Sequence, residues 1–362
     1  MRFVYSPLHL GHDIRTQTIL GVQVEANEVA ERAETIRSTL LADGGFEAVV
    51  PTTHGPEPIT AVHDPGLLRF LEEAWDEALR QGHPYDFLAP ETITNAAATA
   101  GMPAEARREA TKIDGRAGYW ALDTSTYILE GTYAAARAAV DVALTTVDLV
   151  LGGERAAYGL CRPPGHHAAR AMYGGFCYFN NAAIAAEAIA RETGEHVSIL
   201  DVDFHHGNGT EQIFWHRGDV LYVSLHAHPD RQYPYLLGWE DELGEGDGAG
   251  ANLNIPLPAK TSDEDYLVAL DRGLARIADE PGDLVVVSLG FDTYGKDPIG
   301  DFALTTPVYH ECGRRAAALG KRLVILQEGG YHVGDLGENA RSWLRGAEGH
   351  AFDPVRVTPV VD

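Results

Sequence analysis

Leu284-Val285-Val286-Val287-Ser288 is a continuous apolar, largely β-branched run that ends in Leu289-Gly290-Phe291-Asp292. An apolar run that does not alternate with polar residues belongs to a strand buried on both faces, as in parallel sheets covered by helices. Six more candidates resemble it: Phe3-Val4-Tyr5, Ala48-Val49-Val50, Ala157-Tyr158-Gly159-Leu160, Val197-Ser198-Ile199-Leu200, Val220-Leu221-Tyr222-Val223 and Leu323-Val324-Ile325-Leu326. Helical patterns fall between them near 26–43, 65–81, 126–149, 180–193, 262–278, 306–319 and 335–346, the first, third and fourth rich in Ala and Glu. This alternation predicts an α/β domain with a mostly parallel sheet flanked by helices. Two long stretches, 83–117 and 228–251, lack periodicity, and loops of that length in a compact domain usually carry function. The second holds Asp230, Glu240, Asp241, Glu242, Glu245 and Asp247 against Arg231.

The chain has 362 residues, of which 45% are hydrophobic, enough to bury a sizeable core and to exclude disorder as its main state. No stretch approaches the roughly 18 apolar residues of a membrane span, and the start Met1-Arg2-Phe3-Val4-Tyr5-Ser6 lacks the pattern of a signal peptide. A soluble, cytoplasmic protein is expected. The net charge of −25 repels phosphates and anionic membranes and attracts cations, so nucleic acid and membrane are not expected partners and a cationic substrate is. Cys161, Cys177 and Cys312 form no C-x-x-C pair and suggest neither a disulfide framework nor a cysteine zinc site.

Four segments follow predicted strands, where open α/β sheets hold their ligands. They are Arg162-Pro163-Pro164-Gly165-His166-His167 with Gly174-Gly175-Phe176-Cys177; Asp201-Val202-Asp203-Phe204-His205-His206-Gly207-Asn208-Gly209; Gly290-Phe291-Asp292 with Asp297; and Glu328-Gly329-Gly330-Tyr331. In an extended segment Asp201, Asp203 and His205 point the same way, and two carboxylates with an imidazole are metal-ligand chemistry. Asp203, His205 and Asp292 together would leave a coordination position open, as catalytic zinc requires, and Lewis-acid hydrolysis is its natural use. His166 and His167 are the candidate proton carriers, and Tyr331 the hydroxyl donor to a developing oxyanion.

Taken together, these segments resemble the histone deacetylase superfamily within the arginase/deacetylase fold, and the chain from Arg2 to about Gly349 is similar to its acetylpolyamine amidohydrolase branch. The resemblance implies a single domain over 1–350 around an eight-stranded sheet, followed by a tail at 351–362. It implies zinc on Asp203, His205 and Asp292, Tyr331 polarising the acyl carbonyl, and His167 as general base, with it or His166 protonating the leaving amine. Asp201 would partner His166, and Asn208 would partner His167 where many relatives carry aspartate, an amide partner that should leave His167 with a lower pKa than a carboxylate would. A structural potassium ion is implied on Asp201 and Asp203, the carbonyls of His205 and Leu225, and Ser224, with a second monovalent site near Phe214, Arg217 and Val220. Gly175 would face the substrate amide, and Phe176 and Tyr233 would wall a narrow aliphatic channel. The 83–117 insertion would narrow the entrance and join a homodimer, with Asp114 as an entrance acid. A second acidic position of the family falls at Ser125, with Asp123 two residues earlier.

The expected function is therefore zinc-dependent removal of acetyl groups from small acetylated polyamines or diamines. The main alternative is an acetyl-lysine deacetylase of proteins or peptides with the same chemistry. A two-manganese guanidine hydrolase of the same fold needs more bridging carboxylates than Gly207 and Gly290 allow beside His205 and Asp292. A non-catalytic binding protein would be expected to have lost one of the competent groups, and none is missing.

Overall fold

The computed structural model describes residues 1–19, 21–94, 100–103 and 106–353. Alternate residues of the Leu284 run face opposite sides: Leu284 and Val286 enter one apolar core, Val285 and Val287 another. The run is β9 (Leu284–Leu289), and the other strands are β1 (Arg2–Val4), β2 (Thr16–Ile19), β3 (Val22–Glu25), β4 (Glu47–Val49), β5 (Ala156–Gly159), β6 (Val197–Asp201), β7 (Val220–Ala227), β8 (Asn252–Leu257) and β10 (Arg322–Gln327). Eight of them form one sheet in the order β4-β1-β5-β10-β9-β6-β7-β8. Every pairing in it is parallel. β2 and β3 form a separate antiparallel hairpin.

The helices are α1 (Glu31–Asp43), α2 (Glu57–Val62), α3 (Pro65–Arg80), α4 (Ile113–Trp120), α5 (Thr132–Leu151), α6 (Asn181–Thr193), α7 (Asn208–Phe214), α8 (Asp263–Ala278), α9 (Thr306–Ala318) and α10 (Val333–Ala347). Residues of α3, α5 and α6 bury against one face of the sheet and residues of α1, α8, α9 and α10 against the other. The result is the expected α/β domain with an eight-stranded parallel sheet covered by helices on both faces. Side-chain caps mark several helix starts: Asp64 accepts from Gly66 N–H, Asn180 from Ala183 N–H and Ser262 from Asp265 N–H.

The structure departs from the sequence expectation in several places. The helix expected over 126–149 is α5 and begins only at Thr132, because Ile128 pairs with Leu88 in an isolated bridge and the Thr132 hydroxyl accepts the Leu129 N–H. α1 likewise begins at Glu31 rather than 26, and the C-terminal end of the 83–117 stretch is the start of α4. β8 was not expected: its Asn252 and Asn254 interrupt the apolar pattern because both amides reach the Glu211 carboxylate. Of the tail expected at 351–362, residues 354–362 lie outside the described residues. No helix among the described residues is long and apolar enough to cross a membrane.

Candidate active site

The carboxyl ends of β5, β10, β9 and β6 lie side by side in mid-sheet, and the four motif segments leave from them. Beyond β6 the backbone aims the carboxylates. His205 N–H donates to Asp203 Oδ1 (2.9 Å), Gly329 N–H to Asp203 Oδ2 (2.8 Å) and Phe204 N–H to Asp292 Oδ1 (3.0 Å). Ligand atoms of Asp203, His205 and Asp292 lie within 4.8 Å of one another, all buried. His205 Nδ1 is 2.9 Å from Asp292 Oδ2 and 3.4 Å from Asp203 Oδ1. A side chain at Gly290 would collide with the Asp203 carboxylate, so the close approach of β9 requires glycine.

The donor set fits a divalent cation, since two fully buried carboxylates this close repel each other unless a positive charge sits between them. Burial and then the Asp203 charge push Asp292 up to about 7. Burial opposes charge on His205, but hydrogen bonds to Asp203 and Asp292 outweigh it and hold the ring up to about 9.

The loop after β5 is pinned by Glu328, whose Oε2 accepts from Gly165 N–H (2.7 Å) and His166 N–H (3.2 Å). It delivers two imidazoles with centroids 4.1 Å apart. His166 Nδ1 meets Asp201 Oδ2 at 3.1 Å, and His167 Nδ1 meets Asn208 Oδ1 at 2.8 Å. The Asn208 amide nitrogen faces the His167 carbonyl, so its oxygen accepts the His167 Nδ1–H and leaves Nε2 with the lone pair. Burial disfavours charge on His166, but Asp203 and Asp201 overcome it and hold the ring up to about 10. Burial, then cationic His166 and His205, drive His167 well below the ordinary histidine value. The two adjacent histidines are thus pushed in opposite directions, His166 up by its carboxylates and His167 down by burial.

Phe176 and Tyr233 both stand beside this cluster. The Tyr233 ring meets His167 edge-on at 4.9 Å, and Phe176 lies 6.0 Å from Tyr331. Gly175 packs on His167, where a side chain would collide with the imidazole. Tyr331 N–H donates to Asp297 Oδ2 (2.7 Å), and Arg32 lies 4.5 Å over the Tyr331 ring. Ser224 is the register partner of Asp201 on β7, and its hydroxyl meets His226 Nδ1 at 2.8 Å. Asp114 is not brought to these rings: it sits in the first turn of α4, paired with Lys112 at 3.0 Å and 3.6 Å from His83.

Two participants escaped the sequence reading. Arg32, on α1, is buried, ion-paired with Glu28 and donates to the Glu328 and Gly330 carbonyls behind Tyr331. Asp123 was noted only as a neighbour of Ser125, yet it accepts from Gly175 N–H (2.6 Å) and Tyr233 hydroxyl (2.9 Å). No local pattern marks either as part of the site, because the partners that bring them there, the Glu328 and Gly330 carbonyls for Arg32 and Gly175 and Tyr233 for Asp123, are far away in sequence.

The histone deacetylase domain model matches residues 26–347. The acetylpolyamine amidohydrolase of Mycoplana ramosa is 40% identical over 349 residues, 96% of this chain and 100% of the relative. Acetylpolyamine amidohydrolase 1 of Pseudomonas aeruginosa is 40% identical over 97% of this chain and 100% of its own. The crystal structure of acetylpolyamine aminohydrolase from Burkholderia pseudomallei superposes with a TM-score of 0.89 at 38% identity, covering 96% of this chain and 98% of that one.

Proposed function

The chain belongs to the histone deacetylase family, in its acetylpolyamine amidohydrolase branch, and is a hydrolase acting on amides; from that premise we propose that it removes acetyl groups from small acetylated polyamines or diamines with the help of zinc. The carrying observation is the convergence of Asp203, His205 and Asp292 beside a histidine whose Nε2 is left free to take a proton.

Zinc held by Asp203, His205 and Asp292 would supply Lewis acidity toward the acyl oxygen and make water acidic enough to attack near neutral pH. His167 Nε2 takes the proton of the attacking water, which its depressed basicity and Asn208 partner favour as a neutral base. Tyr331 donates its hydroxyl to the carbonyl oxygen as negative charge develops there. As the amide C–N bond breaks, a proton from the histidine pair goes to the departing nitrogen, and acetate and a free amine result. Asp201 holds the His166 ring in place throughout. Phe176 and Tyr233 wall the path of the methylene chain, and the net charge of −25 favours approach of the remaining ammonium groups.

The same reading includes a structural potassium ion near Asp201, Asp203, Ser224 and the carbonyls of His205 and Leu225, and one catalytic domain spanning about 1–350. It also includes a homodimer formed through the 83–117 insertion, which carries exposed Tyr85, Ile93 and Met102.

The deciding experiment compares acetylputrescine, acetylcadaverine and acetylspermidine with an acetyl-lysine peptide, using zinc-loaded and chelated protein. Preference for the small amines, abolished by chelation, is the expected outcome. Preference for the peptide keeps the chemistry but makes the chain a lysine deacetylase, and hydrolysis of none of them overturns the reading.

A further inference from the structure

Gly174 and Cys177 exchange both backbone hydrogen bonds, at 2.9 and 3.0 Å, so only Gly175 and Phe176 close the turn between them. Both are left-handed, with φ of 58° and 65°. Glycine accepts this freely, whereas phenylalanine is strained there and stays only because its surroundings enforce it.

One short segment supplies the enforcement. Gly175 N–H donates to Asp123 Oδ2 (2.6 Å), Phe176 N–H donates to the Thr126 hydroxyl (3.0 Å), and that hydroxyl donates to Asp123 Oδ1 (3.0 Å). The opposite wall ends on the same carboxylate, through the Tyr233 hydroxyl at 2.9 Å. Both walls rest on His167, Tyr233 edge-on at 4.9 Å and Gly175 by backbone contact that excludes a side chain.

An acid beside a site for cationic substrates invites reading as an amine ligand, but its hydrogen bonds argue against this. A carboxylate offers about four lone-pair sites. Asp123 Oδ1 already accepts from Ser125 N–H (2.8 Å), Thr126 N–H (2.9 Å) and the Thr126 hydroxyl, and Oδ2 from Gly175 and Tyr233. No site remains for an ammonium group.

We propose that Asp123 is a positioning residue that joins the two channel walls and through them seats His167, and that it does not bind the substrate amine. The inference rests on the deacetylase reading of the site. Asp123→Ala, Asp123→Asn and Tyr233→Phe are compared on acetylputrescine and on its uncharged counterpart N-butylacetamide. In Asp123→Ala, kcat is expected to fall at least about tenfold on both substrates with zinc content unchanged. Asp123→Asn, which keeps one acceptor, and Tyr233→Phe, which loses one donor, fall less. A rise in KM confined to acetylputrescine would make Asp123 an amine ligand and overturn the proposal.

Deuterium uptake by the peptide spanning 174–177 supplies a readout independent of activity. It is expected to rise in Asp123→Ala while the urea midpoint moves little, and unchanged uptake overturns the proposal. Thr126→Val, which removes the acceptor for Phe176 N–H while keeping its shape, carries the same test if Asp123→Ala does not fold. If the wild type hydrolyses neither amide, the functional reading fails and the exchange data still decide the role of Asp123.

Discussion

The proposed metal cluster and the proposed channel mouth adjoin each other but are held by different means. Asp203, His205 and Asp292 leave the ends of adjacent strands, lie buried, and are aimed by backbone N–H groups of the same strand ends. Phe176, Tyr233 and Asp123 come from loops, are only partly buried, and are tied by side chains 52 and 110 residues apart in sequence. The proposed metal ligands are thus fixed by the sheet, and the proposed channel walls are fixed by loops holding one another.

The comparison breaks most sharply if the strand-end cluster proves dispensable. Chelation or His205→Ala is expected to cut turnover about a thousandfold or more, with zinc restoring only the chelated wild type. Metal content and rate measured together check this, and an unaffected rate removes the metal from the chemistry. Next in size, His167→Ala is expected to lower kcat about a hundred- to ten-thousandfold and Tyr331→Phe about a hundred- to a thousandfold, each with a melting midpoint near that of the wild type.

A buried histidine beneath the β5 loop tests the framework by pH. His63 Nδ1 faces the Ala169 carbonyl at 2.9 Å and Nε2 accepts the Asn180 N–H at 2.8 Å, so the ring must be neutral; burial lowers its pKa from 6.5 to about 4. As pH falls below 6.5, the unfolded chain binds the proton first and stability drops, the loss being complete near pH 4. That shift corresponds to about 3 kcal/mol. Urea unfolding of wild type and His63→Gln from pH 7 to pH 4 is expected to show a shallower acid loss in the variant.

Asn208→Asp sharpens the comparison from the catalytic side. A carboxylate facing Nδ1 favours the imidazolium, so the acid limb of kcat/KM against pH is expected to move up by about one unit, and an unmoved limb would deny Asn208 control of His167. The smallest effect is expected at Asp114, proposed as an entrance acid: Asp114→Asn is expected to raise KM for acetylputrescine about two- to fivefold at low ionic strength, an increase that salt erases.

This division also explains what could be read from sequence. β9 and β6 were legible because strands buried on both faces leave unbroken apolar runs, and the ligands follow directly at their ends. β8 is an edge strand whose asparagines serve Glu211, so its pattern is broken by its own hydrogen bonds. β3 is exposed along its whole length and has no core to leave a pattern. The geometry of the histidine pair needed distant partners, Asp201 and Asn208, that the family resemblance already implied. Asp123 and Arg32 carried no such implication, since an acid in a loop and an arginine on a helix are ordinary surface residues until the fold brings Gly175, Tyr233 and the Gly330 carbonyl to them.

The strand order has a consequence for the making of the protein. β5 and β6 are translated in turn but never touch, because β10 and β9, made much later, lie between them. Until then the sheet strands already made can pair only as two groups, β4-β1-β5 and β6-β7-β8, and β5 and β6 each lack a neighbour on one side. Asp292 and the Gly329 N–H come with these two strands, so the proposed metal site is complete only once both are in the sheet. A chain that ends before Leu284 therefore lacks Asp292 and both central strands, and exposes the inner edges of β5 and β6 to strand pairing with other chains.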